Sequence, residues 1–177
     1  MRLFIAFEIP DDISAILHKV QSELHIPGRA TKTKSFHLTL KFLGEVDDNT
    51  IPKIKEALSQ IKFEPFKASL SDIGAFPNTR NPRIVWIGLE PHDPINAIQK
   101  QVNQAVRAFA PEADNRFHPH LTLARIKFLN NKAQFQQSLE STTIPEANFK
   151  LKDFHLMKSN LTPQGPKYDI LETFQSI

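Results

Sequence analysis

The chain has 177 residues, with 22 Lys and Arg against 19 Asp and Glu, a formal charge of +3 and no cysteine. This composition excludes disulfides, thiol nucleophiles and cysteine-based zinc sites, and no segment approaches the ~20 apolar residues of a membrane span. Acidic residues soon follow the short apolar N-terminal stretch, so we expect no signal peptide. The lack of cysteine fits a reducing compartment, and we expect a cytoplasmic protein. The mild basicity is compatible with a nucleotide or RNA ligand but does not by itself indicate one.

The first third of the chain predicts strands and helices in alternation. Residues 3–9 are apolar and end before Pro10, which is typical of a buried strand. Apolar residues at helical spacing follow over 13–24, and residues 29–34 are interpreted as a basic loop. A second strand is predicted at 36–43 and a second amphipathic helix at 51–61.

The rest of the chain continues the pattern. Strands at 66–76 and 83–89 are joined by a turn rich in Pro and Asn. A long helix is predicted from Asp93 to Phe109, with Pro111 ending it. The remaining predicted elements are strands at 120–128, 149–159 and 168–174 and a short helix at 131–140.

The tetrapeptide HLTL occurs at residues 37–40 and again at 120–123, about half the chain apart. Successive side chains of a strand point to opposite faces. In each copy the histidine and the threonine therefore share one face, ~7 Å apart, while the leucines enter the core. Because a strand, a helix and a loop precede each copy, we predict an internal duplication.

The duplication predicts an α+β fold with two lobes. Residues 1–177 are expected to form a single domain of two pseudo-symmetric halves. Each half contributes an antiparallel sheet with its helices outside, and the two sheets face a central cleft. The repeated residues then meet in that cleft.

His37 and His120 are the candidate catalytic residues. The ordinary pKa of histidine, about 6.5, suits it to give or take a proton near neutral pH. Thr39 and Thr122 lie on the same faces and offer hydroxyl groups to an anion. Threonine favours strands in any case, but two copies of one four-residue motif are poorly explained by strand propensity alone.

Two cations near the motifs are candidates for binding an anion. Arg125 lies five residues after His120, so on a regular strand it would point to the opposite face, and a bulge or strand end is required to bring it into the cleft. Its planar guanidinium suits phosphate. Lys41 lies two residues after Thr39 and is predicted to share its face. For both, a solvated surface charge is the alternative interpretation.

His118 and His120 also raise the question of a metal. They share a face unless Pro119 bends the strand, but the sequence has no further local cluster of carboxylates or histidines to complete a site. We therefore predict no metal and no cofactor. The GxSxG, GxxxxGK[ST] and GxGxxG motifs are also absent from the sequence.

The chain resembles the two-histidine (2H) phosphoesterases, and most of all the RNA 2′,3′-cyclic phosphodiesterases, formerly called 2′-5′ RNA ligases. The resemblance is carried by RLFIAFEIP, FHLTLKFLGEV, IGAFPNTRNPRIVWIGL and RFHPHLTLARI, and more weakly by LTPQGPKYDIL around Tyr168. These segments are spread over most of the chain, and the paired HLTL motif is specific.

The resemblance implies hydrolysis of a 2′,3′-cyclic phosphate at the end of an RNA or a nucleotide. His37 is implied as the proton donor and His120 as the proton acceptor, and Thr39, Thr122 and Arg125 as phosphate ligands. It also implies that the 3′ oxygen leaves, which gives a 2′-phosphomonoester. We expect a monomer with no membrane partner.

Two other functions stay open at this point. The same acid–base pair can run a transesterification in either direction, so an RNA 2′-5′ ligase is one alternative. A non-catalytic module that binds nucleotide or RNA is the other. The roles of Lys41, His118 and Tyr168 also stay open.

Overall fold

The computed structural model describes residues 1–110 and 116–177. In these residues the strands are β1 (Arg2–Glu8), β2 (Gly28–Lys32), β3 (His37–Glu45), β4 (Phe66–Phe76), β5 (Ile84–Glu90), β6 (His120–Leu129), β7 (Asn148–Leu151), β8 (Asp153–Thr162) and β9 (Gly165–Gln175). The α-helices are α1 (Asp11–Glu23), α2 (Ile51–Ser59), α3 (His92–Ala105) and α4 (Lys132–Ser141). Pro111, which was predicted to end α3, lies outside the described residues.

The strands form two antiparallel sheets, one for each lobe. The first sheet has the order β3-β1-β8-β9 and the second the order β2-β6-β5-β4-β7. The two HLTL segments begin β3 and β6, so each sheet contains one copy. The predicted α+β fold with two lobes is confirmed, but the expectation of one sheet from each half is wrong, because β8 and β9 complete the first sheet and β2 joins the second.

Strand β1 is buried on both faces, which explains its almost continuous apolar sequence. Leu3, Ile5 and Phe7 lie on one face and are at most 1% exposed in the main core. Phe4 and Ala6 lie on the other face in a smaller apolar cluster. Burial of apolar surface on both faces fixes the position of β1 between its neighbours β3 and β8.

The helices link the two lobes. Helix α1 follows β1 of the first sheet but lies against β6 of the second, and α3 follows β5 of the second sheet but lies against β3 of the first. Each motif strand is therefore covered by the helix of the other half. This exchange holds β3 and β6 in fixed relative positions.

Three details differ from the sequence predictions. The predicted basic loop contains β2, an exposed edge strand whose polar residues show no apolar alternation. The segment predicted as one strand at 149–159 is split into β7 and β8, which belong to different sheets. Helix α3 ends at Ala105, four residues earlier than predicted.

Within the described residues, no helix has the length and apolar character needed to cross a membrane.

Candidate active site

The two motif strands lie close together and have the same burial pattern. Cα atoms of β3 and β6 approach within 8 Å. The backbone N–H of Thr33, which directly follows β2, donates to the carbonyl of Leu123 on β6 at 2.9 Å. In both copies the histidine and the threonine are half-buried and the two leucines are buried. The predicted alternation of the four motif residues is confirmed.

Each motif strand contains a bulge at the same position. The pairing of β3 with β1 has an extra residue at Leu40, and the pairing of β6 with β5 has one at Leu123. A bulge interrupts the alternation of faces by one residue. Side chains beyond the bulge therefore lie on the face opposite to the one that simple counting predicts.

Two glutamines bond the backbone at these bulges. The side-chain amide of Gln21 on α1 donates to the carbonyl of Leu123 at 2.7 Å. That of Gln99 on α3 donates to the carbonyl of Leu40 at 3.5 Å. Both glutamines are buried. At each bulge, a backbone carbonyl thus accepts a hydrogen bond from a helix of the other half of the chain.

The bulge in β3 overturns the prediction for Lys41. Thr39 pairs with Ala6, on the cleft face of β1, whereas Lys41 pairs with Ile5, whose side chain lies in the core. Lys41 is only 8% exposed, and burial lowers the pKa of its ammonium group. Beyond the bulge, Phe42 shares the face of His37, and the centroids of the Phe42 and Phe4 rings are 6.1 Å apart.

The bulge in β6 has the opposite effect on Arg125. This residue pairs with Ile84 of β5 and Thr31 of β2, and its side chain is exposed on the cleft face. Burial raises the pKa of Tyr168, and the charge of Arg125 opposes that shift; burial lowers the pKa of His120, and the same charge lowers it further. Because these two residues belong to different sheets, the guanidinium acts on both sides of the cleft. The bulge that the sequence analysis required for Arg125 is present.

His120 is held in one orientation by its own strand. Nδ1 lies 2.7 Å from the carbonyl oxygen of His118, so Nδ1 donates and Nε2 retains its lone pair. The ring is perpendicular to that of Phe76, with centroids 4.9 Å apart. Burial lowers the pKa of His120, the hydrogen bond to His118 opposes this shift, and the nearby charges of His118 and Arg125 lower the pKa further.

His37 has a matching environment in the other lobe. Its ring meets the ring of Tyr168 at 4.9 Å and 84°, and that of Phe4 at 5.8 Å. Burial, and then the nearby His155, lower the pKa of His37 to about 4. The histidine is therefore neutral near pH 7 when no ligand is bound.

His118 lies behind His120 in an aromatic cluster. Its ring is 4.7 Å from Trp86 and 5.6 Å from His92. Its Nδ1 is buried and has no hydrogen-bond partner among the described residues. The part of the chain that the structure describes contains no group of three or more His, Cys, Asp or Glu residues placed to hold a metal ion.

His155 is a site residue that sequence reasoning missed. It pairs with Ala6 on β1, directly across that strand from Thr39. Its Nδ1 lies 3.0 Å from the hydroxyl of Thr173, and its Nε2 lies 3.9 Å from a carboxylate oxygen of Glu8. No motif surrounds His155 in the sequence, so its place in the site follows only from the pairing of β8 with β1.

The aromatic rings beside the two histidines were also missed by sequence reasoning, because only the pairing of distant strands brings them to the site. Phe76, Trp86 and Tyr168 come from three strands that are distant from the motifs in sequence. Trp86 faces Thr122 across β5 and β6, and its ring covers Gly74, where any side chain would collide with the indole. The only trace of this packing in the sequence is Gly74, and a single glycine is not enough to predict that Trp86 packs against it.

The sequence matches one protein family over most of its length. Residues 9–163 match the 2′-5′ RNA ligase superfamily. The RNA 2′,3′-cyclic phosphodiesterase of Archaeoglobus fulgidus is 35% identical, over 99% of this chain and 100% of the relative. That of Methanocaldococcus jannaschii is 34% identical, over 97% of this chain and 99% of the relative.

Solved structures share the fold over nearly the whole chain. TT0787 of Thermus thermophilus superimposes with a TM-score of 0.80 at 29% identity, covering 99% of this chain and 97% of that one. LigT of E. coli complexed with 3′-AMP superimposes with a TM-score of 0.77 at 25% identity, with the same coverage. The two-lobed arrangement is therefore common to these proteins.

Proposed function

Because the chain belongs to the 2′-5′ RNA ligase superfamily, we propose that it is a hydrolase that opens 2′,3′-cyclic phosphates at the ends of RNA or nucleotides. Relatives that match almost its whole length are named RNA 2′,3′-cyclic phosphodiesterase. The observation that carries the proposal is the paired environment of His37 and His120, each half-buried beside a perpendicular aromatic ring.

His120 is the general base in this mechanism. Its Nδ1 donates to the carbonyl of His118, which leaves Nε2 free to accept a proton from water. The water oxygen then forms a bond to phosphorus while its proton passes to Nε2. The lowered pKa of His120 keeps this nitrogen unprotonated at neutral pH.

His37 is the general acid. As the bond from phosphorus to the 3′ oxygen breaks, the imidazolium of His37 protonates that oxygen, and the product is a 2′-phosphomonoester. The free protein holds His37 neutral, with a pKa of about 4. A bound anionic phosphate favours the charged imidazole, so the substrate itself promotes the protonation of its catalyst.

Thr39, Thr122 and Arg125 stabilise the phosphoryl oxygens. The hydroxyl groups share the cleft faces of the two histidines, and the bulge at Leu123 directs the guanidinium to the same face. Donors placed where negative charge develops lower the barrier without reorganisation. The proposed chemistry uses no metal and no cofactor.

The remaining features of the proposal concern the whole chain. Residues 1–177 act as one domain, with the two halves each supplying one histidine. Helices α1 and α3 favour this organisation, because each lies against the motif strand of the other half. We further propose that the protein works as a monomer in the cytoplasm on RNA or a nucleotide.

The test is incubation of the purified chain with 2′,3′-cyclic nucleotides and with RNA that ends in a 2′,3′-cyclic phosphate. We expect conversion to a 2′-phosphomonoester, identified by phosphorus NMR against both isomers. A 3′-phosphate product would overturn the assignment of the leaving oxygen. Binding without turnover would favour a non-catalytic module, and joined RNA ends would favour a ligase.

A further inference from the structure

The cleft face of β6 continues beyond the phosphate site. Phe128 pairs with Arg29 on β2, and Arg125 pairs with Thr31 on the same strand. Arg29 and Thr31 are two residues apart and so share a face, and a second bulge in β6 keeps Phe128 on the face of Arg125. We call Arg29, Thr31, Arg125 and Phe128 the β2–β6 face.

The charged residues of β2 and β6 are all cations, and Arg29 and Arg125 lie on the β2–β6 face. Strands β2 and β6 contain four Lys or Arg residues and no Asp or Glu. In the other sheet, β3 is the edge strand and has no neighbour in the position of β2, and β3 and its partner β1 contain two cations and two carboxylates. Six residues after the motif threonine, β3 has Glu45 where β6 has Phe128. The motif strand β6 and its neighbour β2 therefore have a net positive charge, whereas the charges of β3 and β1 balance.

Phe128 gives the same region an exposed aromatic ring. Its side chain is 52% exposed although it lies on a strand next to the site. The guanidinium of the nearby Arg83, also exposed, donates to the carbonyl of Lys127 at 3.3 Å. An exposed ring on strands that contain cations and no carboxylates suits single-stranded RNA, whose bases stack on aromatic side chains and whose phosphates need positive charge.

We propose that the β2–β6 face binds the RNA nucleotides on the 5′ side of the terminal cyclic phosphate. This inference rests on the proposed function, because it takes the cyclic end to lie at Arg125 between the two histidines. An RNA with a cyclic 3′ end can continue only on its 5′ side. Phe128 stacks a base of that continuing strand, and Arg29 neutralises one of its phosphates. The site thus favours RNA over a free cyclic nucleotide.

The experiment compares two substrates and two matched double variants of the full chain. The substrates are a 2′,3′-cyclic mononucleotide and a short single-stranded RNA with the same terminal nucleotide. The test variant is Arg29→Gln with Phe128→Ser. The control variant is Lys100→Gln with Ile177→Ser, which removes one exposed cation and one exposed apolar side chain elsewhere on the surface.

We expect the test variant to lose about tenfold in kcat/KM on the RNA, mainly through KM, and to retain its rate on the mononucleotide. Tenfold corresponds to about 1.4 kcal/mol, within the range for loss of one stacked base. On the RNA, kcat/KM of the test variant should also fall less steeply with salt concentration than that of the wild type. The control variant should match the wild type on both substrates.

Each other outcome has a distinct meaning. Equal losses on both substrates, or no loss on the RNA, would overturn the proposal for the β2–β6 face while leaving cyclic phosphate hydrolysis intact. An unchanged RNA rate together with a changed oligomeric state would assign the face to a protein contact instead. Failure of the wild type on both substrates would contradict the proposed function itself.

Discussion

The side-chain amide of Gln21 donates to the carbonyl oxygen of Leu123 at 2.7 Å and also to that of Thr33 at 2.8 Å. Leu123 is the bulge residue of β6, and the bulge is what brings Arg125 onto the cleft face. A helix of the first half of the chain therefore stabilises the backbone that positions a phosphate ligand of the second half.

The first prediction concerns this glutamine. Gln21→Leu removes the side-chain donor to the carbonyl of Thr33 and one of the two donors to the carbonyl of Leu123, which keeps the backbone N–H of Thr33. We expect the free energy of unfolding to fall by ~1–3 kcal/mol, because the carbonyl of Thr33 becomes unsatisfied. Chemical denaturation measures the change. The control is Gln101→Leu at an exposed position of α3, which should change stability little. Equal effects of the two substitutions would contradict the role given to Gln21.

The second prediction concerns Arg125. Burial lowers the pKa of His120 and raises that of Tyr168, and the positive charge of Arg125 acts to lower both, so Arg125→Gln should raise both. Loss of a donor to the phosphoryl oxygens should also reduce kcat by ~10²–10³-fold. NMR titration of the His120 ring checks the pKa, and Arg107→Gln, at another exposed arginine, is the control. An unchanged pKa of His120 would place the guanidinium outside the cleft.

The third prediction concerns the protonation of His37. In the free protein its pKa is about 4, and saturation with inorganic phosphate should raise it, because a nearby negative charge stabilises the imidazolium. NMR titration with and without phosphate measures the shift. The exposed His25 serves as an internal control that should not respond. A pKa of His37 that stays near 4 with phosphate bound would remove it as the acid.

The fourth prediction concerns metals. Turnover of a cyclic nucleotide should be unchanged after dialysis against EDTA, since the proposed steps use only protein groups. The rates before and after dialysis are compared in metal-free buffer. Loss of activity with EDTA and recovery with a divalent ion would instead favour the interpretation of His118 and His120 as metal ligands.

The sequence predicts the motif strands well because their signal is local. Alternation within HLTL is enough to place His37 and Thr39 on one face and the leucines in the core, and the structure agrees. The repeat of the motif also predicts that each sheet holds one copy. These predictions need only the period of a strand and the matching order of elements.

The bulges could not be predicted in the same way. An extra residue at Leu40 or Leu123 is defined by pairing with β1 or β5, which are distant in sequence. Counting along the strand therefore placed Lys41 on the wrong face and left Arg125 dependent on a bulge. Gln21 looked like any polar helix residue, because its partner Leu123 is contributed by the other half of the chain.

The most direct test of the central claim is the rate of hydrolysis of RNA ending in a 2′,3′-cyclic phosphate by His37→Ala and His120→Ala. In the proposed mechanism each histidine transfers a proton, and loss of such a group typically costs ~10²–10⁴-fold in rate. We expect each variant to lose turnover by that factor, with circular dichroism and melting behaviour like those of the wild type. Near-normal turnover by either folded variant would contradict the two-histidine mechanism.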